Sequence, residues 1–228
     1  MSDPMLIGLV CEGITDFPVL EAVIKAVLGP DTDVKLVQPD RDNLRDSAGF
    51  HRVKAWCERR GPKLRDYCLS TGIHLFVVHV DADIARRVGA STTRQLCDKV
   101  KGWLKRGARS ARYLVVIPAQ AIEAWLLAAH VGVTPELEDV PRPVDQLLKH
   151  RLLTTVGDEP YKDVAKYEEL AERLRECAPA VRSQLPELNR FCGKLEAKRE
   201  QFRDGSLGWE LPEEPPPQPG RESKKRRR

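Results

Sequence analysis

Several common functional signatures are missing from this sequence of 228 residues. It has no Gly-x-x-x-x-Gly-Lys-Ser/Thr loop, so we expect no ATP hydrolysis by the chain itself, and it has no Gly-x-Ser-x-Gly nucleophile elbow. No apolar run approaches the about 20 residues needed to span a bilayer. The start of the chain lacks the basic and apolar regions of a signal peptide. We therefore expect a cytoplasmic protein without a membrane partner.

The six cysteines show no metal-binding or redox pattern. None belongs to a Cys-x-x-Cys pair, and none has a histidine at zinc-finger spacing. Cys11 falls in a predicted strand, and Cys57 and Cys97 fall in predicted helices, so we interpret them as reduced core residues of a cytosolic protein. The net charge of +4 favours a polyanionic partner only slightly, because part of it comes from the terminal run Lys224 to Arg228.

Four predicted strands alternate with segments of helical periodicity in the first part of the chain. Three are apolar runs, Met5 to Cys11, Leu75 to Val80 and Tyr113 to Ile117, and the fourth, Val34 to Val37, alternates between apolar and polar residues. Four β-α units in succession predict a mainly parallel sheet with helices on both faces. The expected fold class is therefore α/β, as a three-layer α/β/α arrangement around a four-stranded sheet.

The character of the sequence changes near residue 131. We predict a catalytic domain at residues 1–131, a helical appendage at 132–205 and a disordered tail at 206–228. The tail is rich in proline and ends in basic residues, which is typical of segments that form no packed core. Helical patterns in the appendage run from Val144 to Leu153, Tyr161 to Cys177 and Leu185 to Phe202.

Carboxylates follow three of the four predicted strands. In a parallel sheet all strand-to-helix loops lie at the carboxyl edge, where ligands of open α/β sheets bind. Oxygen ligands of this kind favour Mg²⁺ or Mn²⁺ over zinc. If the chain stays extended after the third strand, the acids of its Asp-Ala-Asp sequence share one face, about 6–7 Å apart. The acids that should meet at this edge are Glu12, Asp16, Asp81, Asp83 and Glu123.

Four of these five acids also have a purely structural interpretation. Asp83 could cap the next helix while Asp81 is a solvated loop acid, and Asp16 could cap the first helix. Glu123 could be a solvated acid that favours a helix N-terminus. His79 lies two residues before Asp81, so both would point to the same face of a strand. We nevertheless favour a packed core histidine over a ligand.

The order of these motifs resembles the TOPRIM domain. The sequence Leu9 to Gly13 is similar to its glutamate motif, and Val78 to Asp83 is similar to its acidic-pair motif. The resemblance covers about Met5 to His130. An acid four residues after the glutamate, and a glutamate after the fourth strand, are similar to the arrangement in OLD-family nucleases and in small TOPRIM effectors of phage defence.

The resemblance implies roles for individual residues. Glu12, Asp81 and Asp83 would hold one Mg²⁺ or Mn²⁺ ion, and Asp16 and Glu123 would help to hold a second. Alternatively, Glu12 stays free of metal and acts as general acid or base. A later lysine is also implied; Lys162 is our assignment, with Lys166 behind it. Arg86 and Arg87 are candidates for contacts with substrate phosphates, against the alternative of a solvated loop.

The expected function is therefore that of a metal-dependent nuclease with DNA as the favoured nucleic acid, as an effector of anti-phage defence. Two alternatives stay open: a subunit that is active only when docked to a separately encoded ATPase, and an RNA-processing nuclease. A homodimer is compatible with the sequence. Strand passage and primer synthesis are disfavoured, because the chain has neither a zinc module nor room for a second catalytic domain.

Overall fold

Four short strands form one parallel sheet in the order β2-β1-β3-β4. The computed structural model of the protein describes residues 4–40, 48–105, 110–134 and 136–208. The strands are β1 (Leu6–Val10), β2 (Asp33–Gln38), β3 (Leu75–His79) and β4 (Tyr113–Val116). Every neighbouring pair in the sheet is parallel. The predicted α/β class with a four-stranded parallel sheet is confirmed.

Helices cover both faces of the sheet. In chain order they are α1 (Asp16–Leu28), α2 (Phe50–Arg60), α3 (Leu64–Thr71), α4 (Thr93–Leu104), α5 (Glu123–Val131), α6 (Pro143–Lys149), α7 (Val164–Val181) and α8 (Pro186–Arg203). Side chains alternate along β3, so Leu75 and Val77 pack toward α1, α5, α7 and α8. Phe76 and Val78 pack toward α2, α3 and α4 on the opposite face.

Close contact between strands explains one glycine in the centre of the sheet. A Cβ atom at Gly8 would lie 2.6 Å from Cε1 of Phe76, so the aromatic ring of β3 occupies the space that a side chain on β1 would need. The Phe76 ring in turn stacks on Tyr67, with ring centroids 5.6 Å apart. This packing fixes β3 against the second helical layer, because aromatic pairs at such distances add to the energy of burial.

The segment predicted as an appendage packs on the core of the sheet. Tyr167, Leu174 and Leu188 are fully buried in the same hydrophobic cluster as Ile7 and Leu9 of β1. The last helices therefore complete one face of the sheet. They also bring residues that are distant in sequence close to the carboxyl ends of the strands.

Several details differ from the sequence predictions. A short antiparallel hairpin, β5 (Thr155–Val156) and β6 (Glu159–Pro160), precedes α7, where two-residue strands leave too little pattern to be read from sequence. Leu207 is still buried in the core, so the packed chain extends into the predicted tail. Residues 209–228, which make up most of the predicted tail, lie outside the described residues.

The strand order places a topological switch between β1 and β3. From β1 the chain passes to β2 on one side, and it then crosses to β3 on the other side. Helices that connect strands in opposite directions leave a crevice at the carboxyl ends of the strands where the order reverses, and ligands bind there. The loops after β1 and β3 flank this crevice. Across the described residues, every helix is too short or too polar to cross a membrane.

Candidate active site

The loops after β1 and β3 are joined across the crevice by the first of the predicted acids. The backbone N–H of Asp81 donates a hydrogen bond of 2.9 Å to Oε1 of Glu12. The two residues are 69 positions apart in sequence, so the parallel pairing of β1 with β3 is what brings them together. The contact holds the Glu12 carboxylate directly beside the start of the Asp81 loop.

A buried histidine stands between two of the other acids. His79 is fully buried at the end of β3. Its Nδ1 lies 3.3 Å from Oδ2 of Asp16, and its Nε2 lies 3.2 Å from Oδ1 of Asp81. The distances are those of ion pairs, but the angles are not those of hydrogen bonds. His79 is therefore a packed histidine, as expected, and at the same time it bridges two carboxylates of the site.

Asp16 also holds the shape of the first loop. Its Oδ2 accepts a hydrogen bond of 2.7 Å from the backbone N–H of Gly13. Asp16 is the first residue of α1, and its carboxylate makes no cap to the helix backbone; Thr15 occupies the N-cap position. Asp16 therefore stabilises the loop after β1 through its bond to Gly13, and the alternative in which it only caps the helix does not apply.

Glu123 is the most buried of the predicted acids, with an exposed fraction of only 2%. Its Oε1 accepts hydrogen bonds from Nζ of Lys162, at 2.7 Å, and from the hydroxyl of Tyr167, at 2.9 Å. The alternative of a solvated first-turn acid is therefore wrong. The structure brings Lys162, which precedes α7, to the same place as the residue that begins α5.

Asp83 lies within a short 3₁₀ helix and not at the end of a strand. The chain is extended at Asp81, but a 3₁₀ helix begins directly afterwards and covers Ala82–Val88. The expectation that Asp81 and Asp83 share the face of an extended strand is therefore wrong, because the strand ends at His79. Both residues still line one cleft of about 290 Å³, together with Glu123 and Lys162.

The charges of the site shift one another's pKa values. Burial, reinforced by the neighbouring Asp81 carboxylate, raises the pKa of Glu12 to about 7. Burial also raises the pKa of Asp81, against the opposing effect of His79. For His79, burial lowers the pKa, but the flanking carboxylates of Asp16 and Asp81 outweigh it, so that the pKa is raised well above its ordinary value. The site therefore combines excess negative charge with poor access to water.

Lys162 is held as a cation by the same neighbourhood. Burial lowers its pKa, but the ion pair with Glu123 outweighs that effect, and the pKa is raised overall. Asp16 and Asp81 act on Lys162 in the same direction, which shows that the first and third loops and the lysine lie within one electrostatic environment. Half of the Lys162 side chain is exposed, at 50%, so its ammonium group faces the cleft.

Three predicted cations lie elsewhere. Arg86 and Arg87 are exposed on the 3₁₀ helix after Asp81, and they are not among the residues that line the cleft. Lys166 pairs with Glu169 on the surface of α7, at 2.7 Å. Among the candidate lysines, only Lys162 reaches the site.

The donor atoms suit a hard divalent cation, although they are not arranged around one. Among the described residues no three acidic, histidine or cysteine side chains stand in a metal-binding geometry. Instead the carboxylates contact His79, Lys162 and backbone N–H groups. Oδ1 of Asp81 is buried and makes no hydrogen bond within the described ranges, and Nε2 of His79, 3.2 Å away, is the positive group that faces it. Carboxylate oxygens of this kind fit Mg²⁺ or Mn²⁺.

Two residues of the site were not predicted from the sequence. Tyr167 lies on the apolar stripe of α7, so periodicity identifies it as a core residue and gives no sign that its hydroxyl meets Glu123. Arg142 also lines the cleft and pairs with Asp145 at 3.1 Å. The sequence marks Arg142 only by its place between Pro141 and Pro143, which indicates a break in the chain and not a site.

The fold and the site together define an α/β protein with a parallel four-stranded sheet and an acidic cluster at the switch point of its carboxyl edge. Comparison of the chain with protein-family models, with curated proteins and with solved structures gives no match. Function must therefore be argued from the chemistry of the site.

Proposed function

We propose that this protein is a divalent-metal-dependent nuclease that cleaves phosphodiester bonds of nucleic acid, with DNA as the expected substrate, on a TOPRIM-like scaffold. One observation carries the proposal. The carboxylates of Glu12, Asp16, Asp81 and Glu123 come from three separate loops and share one electrostatic environment at the switch point of the sheet. Such a concentration of buried acids costs folding energy, which a functional cation would recover.

Glu12, Asp81 and Asp83 would hold one metal ion, and Asp16 and Glu123 would contribute to a second. Bound Mg²⁺ or Mn²⁺ supplies a more acidic water as nucleophile and stabilises the negative charge that develops on phosphate and leaving oxygens. Oδ1 of Asp81, which is buried and makes no hydrogen bond to any described residue, is the first metal ligand that we expect to be used, in exchange for its contact with His79.

The chain's own side chains have separate tasks in this proposal. Glu12, with a pKa of about 7, is suited to accept or release a proton near neutral pH, which fits the alternative in which it acts as general acid or base. Lys162 is a half-exposed cation at the cleft and is placed to neutralise an incoming phosphate. His79 keeps Asp16 and Asp81 at fixed positions. Arg86 and Arg87 are exposed nearby and remain candidates for phosphates outside the cleft.

The test is a cleavage assay with the full chain. Plasmid and linear DNA are incubated with the protein and Mg²⁺ or Mn²⁺, with a chelator as the negative control. We expect metal-dependent cleavage by the wild type and a loss of at least about 100-fold for Asp81→Asn, the order of magnitude that a group stabilising transition-state charge contributes. A single-stranded RNA substrate in parallel separates DNA from RNA as the target.

Glu21→Gln is the matched control, because it makes the same acid-to-amide change on the surface of α1. Glu21 pairs with Lys25 and does not line the cleft. The proposal fails if the wild type cleaves neither substrate with either metal, or if cleavage survives in the Asp81→Asn variant at the rate of the control.

A further inference from the structure

A second groove, with a volume of about 400 Å³, runs beside β4 between α4 and α8. β4 is an edge strand of the sheet, so only one of its sides is paired. Val115 and Ile117 form part of the floor of the groove. Its walls carry the cations Arg94, Lys101, Arg190 and Lys194.

The groove has a surplus of positive charge. Two acids also line it, and each lies near one of the cations: Glu187 pairs with Arg190 at 2.5 Å, and Asp98 lies 3.7 Å from Lys101. In the described part of the chain, no carboxylate pairs with the remaining two cations, Arg94 and Lys194.

Lys194 stands at the open edge of the sheet. Its Nζ donates a hydrogen bond of 3.4 Å to the backbone oxygen of Val115. The backbone oxygen of Arg112 accepts from Phe76 in β3, and that of Val116 accepts from Val80 directly after β3. Because carbonyl groups alternate in direction along a strand, the oxygen of Val115 points away from β3 and into the groove. A single long hydrogen bond to a neutral acceptor leaves the ammonium group of Lys194 available to an anion.

The groove and the candidate active site are neighbours along the chain. Ile117 lines the groove, and Gln120 lines the acidic cleft. Three residues span at most about 10 Å, so lining residues of the two cavities lie within about 10 Å of each other. The strand that carries the scissile bond is long enough to reach both cavities.

The length of the groove matches a short stretch of nucleic acid. Arg94 and Lys101 lie seven residues apart on α4, which corresponds to about 10 Å along a helix. Arg190 and Lys194 are four residues apart on α8 and share one face of that helix. Positive groups at this spacing along two facing walls suit several successive phosphates of a backbone, and phosphate contacts position a strand without reading its sequence.

We infer that the groove between α4 and α8 binds the phosphate backbone of the nucleic-acid strand that flanks the scissile bond. The inference rests on the proposed function and deepens it by naming the path of the substrate. Arg94 and Lys194 contact phosphates in this path. Removing one such cation lowers the slope of log affinity against log salt by about 0.7 for a single strand, or about fivefold in affinity near 0.1 M salt.

The experiment measures the binding of a fluorescently labelled single-stranded DNA oligonucleotide by anisotropy over a series of salt concentrations, with Ca²⁺ in place of the catalytic metal. The full chain is compared with an Arg94→Gln/Lys194→Gln variant. The matched control, Lys25→Gln/Arg175→Gln, removes the same two charges from α1 and α7, away from both cavities. Thermal unfolding verifies that the variants are folded.

We expect the groove variant to bind on the order of 25-fold more weakly near 0.1 M salt, with a salt slope smaller by about 1.4, while the control changes little. Equal weakening of the groove variant and the control, unchanged binding of the groove variant, or no binding by the wild type would overturn the inference. Hydrolysis of the small diester bis(p-nitrophenyl) phosphate with Mn²⁺ distinguishes a failure of this inference from a failure of the proposed function, because this substrate is too small to need the groove. If the wild type hydrolyses it but the groove variant binds DNA normally, only the inference fails; if the wild type cleaves neither it nor DNA, the proposed function fails.

Discussion

Replacing Glu12 by glutamine should stabilise the protein in the absence of metal. The side-chain oxygen of glutamine can still accept the hydrogen bond from the Asp81 N–H, so the change removes charge and keeps the contact. In the folded protein the pKa of Glu12 is raised from 4.5 to about 7, chiefly by burial and then by Asp81. Ionising this group in the folded state therefore costs up to about 3 kcal/mol of stability.

The direction of the pH dependence follows from the raised pKa. The protonated form is favoured by folding, so its contribution is complete below the ordinary pKa of the carboxyl and is lost as the pH rises through about 7. Glu12→Gln lacks this loss. We expect its advantage over the wild type to grow by about 2 kcal/mol between about pH 5 and about pH 8.

The assay is urea unfolding of both proteins at the two pH values, with a chelator present and then with Mg²⁺ added. The ion should stabilise the wild type at the higher pH, because it compensates the carboxylates, and should stabilise the variant less. Glu21→Gln serves again as control, and its stability should match that of the wild type at both pH values, with and without Mg²⁺. A Glu12→Gln variant that is less stable than the wild type at the higher pH without metal would refute the argument that Glu12 is a strained, charged member of the site.

Further predictions concern the helices that surround the site. Tyr167→Phe removes a buried hydroxyl that donates to the Glu123 carboxylate, so we expect a loss of about 1.5–3 kcal/mol in urea unfolding, with the ring packing preserved. Gly61→Ala should lower the stability by more than about 2 kcal/mol, because its Cβ would collide with the backbone carbonyl of Leu104. By contrast Gly102→Ala, inside α4 with no atom within 4 Å of a new Cβ, should stabilise by up to about 1 kcal/mol in the same measurement. Equal effects of the two glycine changes would contradict the close contact of α4 with the segment after α2.

Hydrophobic periodicity was sufficient to predict the four strands of the sheet and their parallel arrangement. The strand at Leu75–His79 and its two partners β1 and β4 stand out as apolar runs, because strands buried on both faces are continuously apolar, and the edge strand β2 shows alternation instead. Their parallel pairing follows from the helical segments between them. The carboxyl edge then brings Glu12 and Asp81 together by topology alone, and a hydrogen bond between them is found there.

The rest of the site depends on tertiary packing that periodicity does not encode. The 3₁₀ helix after Asp81 changes the direction of Asp83, and nothing in Asp-Ala-Asp distinguishes it from an extended end of a strand. Tyr167 belongs to an apolar stripe, and it is the packing of α7 against the start of α5 that brings its hydroxyl to Glu123. Lys162 was assigned from the resemblance alone. No sequence pattern connects it with Glu123, which lies 39 residues earlier in the chain.

The most direct test of the central claim is a calorimetric titration of the metal-free protein with Mn²⁺. If Glu12 and Asp81 form a metal site with their neighbours, the wild type will bind Mn²⁺ saturably, Glu21→Gln will bind it equally well, and the Glu12→Gln/Asp81→Asn variant will lose most of that affinity. Saturable binding of equal strength by the double variant, or no binding by the wild type, would contradict the claim that this acidic cluster is a metal site.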